Sequence, residues 1–237
     1  MNLRQIIRLS LALTCAAAAL STRAAQTENP AATATPKQPW IDRHNRIVKE
    51  TLQKKPDLVF LGDSITDGWD NHGLAVWKQH FGQYNPVNQG IAGDRTEHVL
   101  WRVKNGALGG NIQPKLVVLM IGTNNSNEPE QIAEGVGAII AKIRERCPQT
   151  KVLLLDIFPR GESPDNRGRI RNDAVNALLP RYANDQTVFW LPIGHQFLEP
   201  DGTLSKAIMP DYLHPRKAGY EIWAKAIDSM VAQLMNE

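Results

Sequence analysis

Five short apolar runs, each separated from the next by a stretch with helical spacing, restrict this chain to a small set of folds. The runs are LVFL (58–61), PVNQ (86–89), LVVLMI (116–121), VLLL (152–155) and VFWL (188–191). Continuous runs with β-branched residues, rather than strict alternation, predict strands covered on both faces, as in a parallel sheet. Between them, Ile132, Val136, Ile139, Ile140 and Ile143 fall on one face of a helix over 130–146. Tyr220, Trp223, Ile227 and Val231 do the same in the last helix. Strands alternating with helices make βαβ units with right-handed crossovers and helices on both sheet faces. No period of 20–50 residues recurs, which excludes a solenoid. The pattern predicts one α/β domain over 40–237, a three-layer α/β/α sandwich large enough to bury its own core.

Upstream the character changes. Arg4 and Arg8 precede an apolar run over 9–20, followed by Ser21-Thr22-Arg23-Ala24-Ala25. That is the arrangement of a secretory signal peptide, assigned to 1–24. A spanning helix needs about 20 residues, so no integral membrane span is expected in the mature chain, and a periplasmic or secreted location follows. Lipoprotein anchoring through Cys15 is the alternative, disfavoured by Leu13-Thr14 before it. Residues 25–39 (AQTENPAATATPKQP) lack apolar periodicity and read as a disordered linker. Losing 1–24 removes three arginines and no acid from 27 Lys+Arg against 24 Asp+Glu, so the formal charge of +3 falls to zero. Nothing then favours nucleic acid or an anionic membrane as partner. Cys147 becomes a lone cysteine with no intrachain disulfide available.

In open parallel sheets, ligands bind beyond the carboxyl ends of the strands, and the polar residues gather there. The first strand ends in Gly62-Asp63-Ser64, the second runs into Gly90-Ile91-Ala92-Gly93-Asp94, the third ends in Gly122-Thr123-Asn124-Asn125, and Asp211-Tyr212-Leu213-His214-Pro215 precedes the last helix. Ester hydrolysis needs a hydroxyl, a base, a carboxylate to orient the base, and donors for the tetrahedral oxyanion. Ser64 is the candidate nucleophile, His214 the base and Asp211 its orienting carboxylate. The backbone N–H groups of Ser64 and Gly93 and the Asn124 amide are the candidate oxyanion donors. Asp63, Trp69 and Arg160 are candidate substrate contacts, with Trp69 or Trp77 as platforms for a sugar ring; an ordinary salt-bridging role is the favoured alternative for Arg160. Each residue also has a plainer role. Ser64 suits a helix N-cap, Asn124 a turn, and Asp211 a cap for the last helix; their convergence on one rim favours chemistry.

Other features read as structural. Asp94 followed by Glu97 resembles a capping box, and Arg167, Arg169 and Arg171 read as a solvated helix face. His44, His72, His80, His98 and His195 lack metal-ligand spacing, and no metal or other cofactor is implied. Thr66 stands where G-x-S-x-G requires glycine, and neither a P-loop nor G-x-G-x-x-G is present.

GDSITDGW, NQGIAGDRTEHVLWR, IGTNN and DYLHP, in that order, resemble the four motif blocks of the SGNH (GDSL) hydrolase superfamily. HVLWRVKNGAL, IFPRGESP and DGTLS resemble, more narrowly, the platelet-activating-factor acetylhydrolase catalytic-subunit-like branch and its bacterial members. The resemblance runs from about Trp40 to the C-terminus. It implies a five-stranded parallel sheet in the flavodoxin-like order 2-1-3-4-5, the nucleophile and one donor at Ser64, further donors at Gly93 and Asn124, and an Asp–His pair at Asp211 and His214. Asp156 departs from the family, which often has Gly beside the end of strand four, and the substrate pocket is expected to differ there.

The expected activity is serine ester hydrolysis releasing a short acyl group, acetyl above all, because the loops are short and offer no apolar lid. Acetylated carbohydrate is the expected substrate. The alternatives are a lysophospholipase or platelet-activating-factor-like acetylhydrolase, and a non-catalytic carbohydrate-binding protein on the same fold. Nothing in the sequence assigns an oligomeric state.

Overall fold

The computed structural model describes residues 28–236; the expected signal peptide lies outside them. Five parallel strands form one sheet: β1 Leu58–Gly62, β2 Pro86–Gly90, β3 Leu116–Met120, β4 Lys151–Leu155 and β5 Val188–Leu191, in the order β2-β1-β3-β4-β5. The helices are α1 Ile41–Lys54, α2 Ser64–Asp67, α3 Leu74–Phe81, α4 Thr96–Arg102, α5 Pro129–Arg146, α6 Arg167–Asn176 and α7 Lys217–Asn236. None of the described helices is long and apolar enough to cross a membrane.

Successive side chains of a strand point to opposite faces, so each apolar run feeds two cores. Leu58, Phe60, Val118, Met120, Leu153 and Leu155 face one, with Trp77 and Phe81 of α3 and Trp223, Ile227 and Val231 of α7. Val59, Leu61, Val117, Leu119, Val152 and Leu154 face the other, with Val99 and Leu100 of α4, Ile132, Val136, Ile139 and Ile143 of α5, and Val175 of α6. Every residue of β1 and β3 is buried. Because β1 has β2 on one side and β3 on the other, the connections reverse direction there. The carboxyl end of β1 is therefore the topological switch point.

Two expectations are corrected. The described part of the supposed disordered linker, residues 28–39, is packed structure. Residues Pro30–Ala32 and Gln38–Trp40 form single 3-10 turns, and Ala31 is wholly buried. The segment is held by polar bonds rather than by an apolar stripe. The Asn29 amide donates to the Gln131 carbonyl at 3.0 Å, the Thr96 hydroxyl donates to the Ala31 carbonyl at 2.7 Å, and Thr35 N–H donates to the Glu97 carbonyl at 3.1 Å. Gly135 of α5 permits the approach, since a Cβ there would lie 2.4 Å from the Ala31 carbonyl oxygen. Small residues and backbone donors leave no periodic signal.

The second correction concerns the tryptophans. Trp69 is wholly buried and Trp77 nearly so. Trp69 packs on Phe60, Trp77, Phe81, Tyr220 and Trp223, with ring centroids 4.5–6.0 Å apart. Neither ring is available to stack on a sugar. A large aromatic surface beside β1 gains more from the core than from solvent.

Candidate active site

The switch point is built from a tight turn. Asp63 caps α2, its Oδ1 accepting the Ile65 N–H at 3.0 Å, and so makes Ser64 the first residue of a one-turn helix. Glycines let that turn lie flat on the strand ends. A Cβ on Gly62 would sit 2.2 Å from Thr66 Oγ1 and 2.5 Å from the Met120 carbonyl oxygen; one on Gly90 would sit 2.1 Å from the Asp67 backbone nitrogen.

The turn brings Ser64 Oγ to 2.9 Å from His214 Nε2. His214 Nδ1 lies 2.6 Å from Asp211 Oδ2, while Asp211 Oδ1 accepts the backbone N–H groups of Leu213 at 3.1 Å and His214 at 2.8 Å. One carboxylate thus fixes both the ring and the loop that carries it. Tyr212 takes a left-handed conformation at φ 56°, and its carbonyl accepts the Gly161 N–H at 2.8 Å. Burial pushes the Asp211 carboxyl up, but the hydrogen bonds from the His214 ring and backbone outweigh it and hold the group below the usual carboxylate range. The His214 and Asp211 side chains are 41% and 56% exposed, and Ser64 is half-buried, so the relay is open to a small substrate.

Gly93 is exposed and adopts φ 70°. Asn124 is brought to the same loop, its Nδ2 donating to the Asp94 carbonyl at 3.0 Å. An amide nitrogen carries two hydrogens, so this bond orients Asn124 and leaves a second donor. Arg160 donates to the Thr123 carbonyl at 2.9 Å and hydroxyl at 3.2 Å, Arg171 to the same carbonyl at 3.1 Å, and Asn172 to the same hydroxyl at 3.2 Å. Arg160 therefore braces the residue before Asn124.

Several expectations change. Asp63 is wholly buried and serves as a cap, not as a substrate contact. Burial, reinforced by the charge of Asp94, raises its carboxyl to about 7 against the Ile65 hydrogen bond and the nearby His214. Asp94 does not cap α4. The N-cap is Arg95, whose N–H donates to His98 Nδ1 at 3.1 Å. The Asp94 carboxylate instead forms a buried ion pair with Arg102 at 2.8 Å. Arg102 also donates to the carbonyls of Gln89 at 2.8 Å and Gly62 at 3.1 Å, tying together the ends of β1 and β2. A carboxylate out of water needs such a partner.

Glu97 is buried as well, bonded to Arg95 and to the Asn125 amide. Arg169, read as solvated, is buried and donates to the carbonyls of Arg160, Gly161, Glu162 and Gly202; Arg167 is exposed. Asp156 accepts the backbone N–H groups of Ile193 at 2.8 Å and Gly194 at 2.9 Å, so it staples the end of β4 to the loop after β5.

Sequence reasoning overlooked Arg102, Asn125, Asn172 and Lys37, all of which bear on the loops around Ser64. Arg102 had a visible sign, a lone cation closing the apolar face of HVLWR. Lys37 had none.

Residues 60–222 match the model of the GDSL-like lipase/acylhydrolase family. Platelet-activating factor acetylhydrolase IB subunit alpha1 from Pongo abelii is 38% identical over 216 residues, covering 88% of this chain and 92% of its own. The human alpha2 subunit is 40% identical over 203 residues, covering 84% and 86%. Among solved structures, a GDSL-like lipase from Bacteroides thetaiotaomicron superposes with a TM-score of 0.66 at 20% identity, over 80% of this chain and 97% of its own. A carbohydrate acetylesterase from Sinorhizobium meliloti gives 0.59 at 20% identity, over 75% and 98%.

Proposed function

The chain belongs to the GDSL-like lipase/acylhydrolase family, and on that premise we propose that it is a serine hydrolase that removes acetyl groups from esters through Ser64, His214 and Asp211. The observation that carries this reading is the unbroken relay from Ser64 Oγ to His214 at 2.9 Å and on to Asp211 at 2.6 Å. A non-catalytic binding protein has no use for such an arrangement.

His214 Nε2 takes the Ser64 proton as Oγ attacks the ester carbonyl. The oxyanion is met by the Ser64 and Gly93 N–H groups and the Asn124 amide. Collapse expels the alcohol with the proton from His214, and a water activated by the same ring releases the acid. Asp211, held ionised, keeps Nδ1 protonated and offsets the charge of the imidazolium.

The open rim favours a small acyl group. For the alcohol, the burial of Trp69 and Trp77 removes the two rings considered as sugar platforms. The relatives at 38–40% identity, named as platelet-activating factor acetylhydrolases, favour an acetylated phospholipid-like ester.

The Ser64→Ala variant should lose about four to six powers of ten in turnover of p-nitrophenyl acetate, and phenylmethylsulfonyl fluoride should inactivate the parent. Undiminished turnover in Ser64→Ala would refute the assignment. Rates on an acetylated glycerophospholipid and on acetylated xylo-oligosaccharide, measured side by side, decide the alcohol.

A further inference from the structure

We propose that Lys37, in the packed segment that precedes the sheet, is a positioning residue for the oxyanion site and holds the peptide that presents the Gly93 N–H. This rests on the hydrolase reading above and adds a residue that lies outside the family-matched span of 60–222.

The Lys37 ammonium donates to the Ala92 carbonyl at 2.5 Å. That carbonyl and the Gly93 N–H belong to the same peptide unit, which is planar and trans, so the two groups point in opposite directions. Fixing one fixes the other. A loop glycine at φ 70° has the conformational freedom to swing its peptide, and a donor helps catalysis only when it is aimed before the charge develops. A Cβ on Gly93 would lie 2.8 Å from Lys37 Nζ, so the ammonium fills the space that a side chain would occupy.

Two residues on from Ala92, the Asp94 carbonyl is held by the Asn124 amide at 3.0 Å. Lys37 and Asn124 thus grip the loop on either side of Gly93. A charge-assisted bond to the Ala92 oxygen also polarises the amide and makes its N–H a better donor. Lys37 is itself located by Asp94 Oδ1 at 3.9 Å and by the Trp40 ring, whose centroid is 5.4 Å from the ammonium. Burial draws the ammonium below the usual lysine range, and Asp94 opposes that pull.

The test compares Lys37→Met, Lys37→Gln and Lys37→Arg with the parent on p-nitrophenyl acetate, alongside thermal unfolding of each. Thr35→Val serves as a control in the same segment and Ser64→Ala as a control for the chemistry. Loss of an oxyanion donor itself costs about a hundredfold or more, so loss of its support is expected to lower kcat about tenfold. KM and Tm should stay near parental values in Lys37→Met. Lys37→Gln, which keeps a donor and the fold but not the charge, should fall between Met and parent, and Lys37→Arg should recover most of the loss. Thr35→Val should keep the parental kcat.

Parental kcat in Lys37→Met, or a loss that follows Tm and appears equally in Thr35→Val, overturns the proposal and leaves the hydrolase reading standing. An active Ser64→Ala overturns both.

Discussion

Asp63 illustrates what a buried cap beneath Ser64, the proposed nucleophile, costs. Its folded carboxyl titrates near 7, against 3.8 for the ordinary group. Well below pH 3.8 the acid is protonated in folded and unfolded chains alike, and this group costs the fold nothing. As pH rises toward 7 the unfolded chain ionises while the buried acid does not, and stability is lost, roughly 4 kcal/mol in all by neutral pH. Asparagine retains the oxygen that accepts the Ile65 N–H and does not ionise. Asp63→Asn should therefore raise Tm at pH 8 and match the parent near pH 4; a Tm difference independent of pH would reject this account. Ser64, His214 and Asp211, which the structure brings into hydrogen-bond contact, stood out in the sequence as candidates because their side chains answer chemical requirements. The sequence misplaced Asp63 and Trp69 because nearness along the chain to a nucleophile does not say which way a side chain turns. Lys37 was illegible for a further reason: its partner is a backbone carbonyl, which has no signature in residue type.

At the scale of elements, the Ser64 turn depends on two glycines at the ends of paired strands. At Gly90 an added methyl would meet the backbone of Asp67, which cannot rotate away as a side chain could. Gly90→Ala should cost about 1–3 kcal/mol by overpacking and lower kcat as well, because the displaced turn carries Ser64. Gly82→Ala, where a Cβ meets nothing within 4 Å, should leave stability and turnover close to parental; urea unfolding and p-nitrophenyl acetate hydrolysis measure both. The strands were readable because burial on two faces writes an uninterrupted apolar run. The buried Arg169 was not, since its partners are four loop carbonyls brought together only by tertiary folding.

Across the whole molecule, one aromatic cluster joins β1, the Ser64 turn, α3 and α7. Phe60, Trp69, Trp77, Phe81, Tyr220 and Trp223 meet within it, and the Tyr220 hydroxyl donates to the Ile65 carbonyl at 2.8 Å, one residue from Ser64. Trp69→Ala should destabilise the fold by roughly 3–5 kcal/mol while leaving KM for p-nitrophenyl acetate near parental at temperatures where the variant is folded. A raised KM with unchanged unfolding would return Trp69 to the substrate. Ser64 and His214, the proposed nucleophile and base, are 150 residues apart. On the proposed mechanism, a growing polypeptide that has passed Ser64 but not yet reached His214 lacks its base and is inert toward the esters around it. Under the same proposal, a chain cut short before residue 214 is harmless as well as useless.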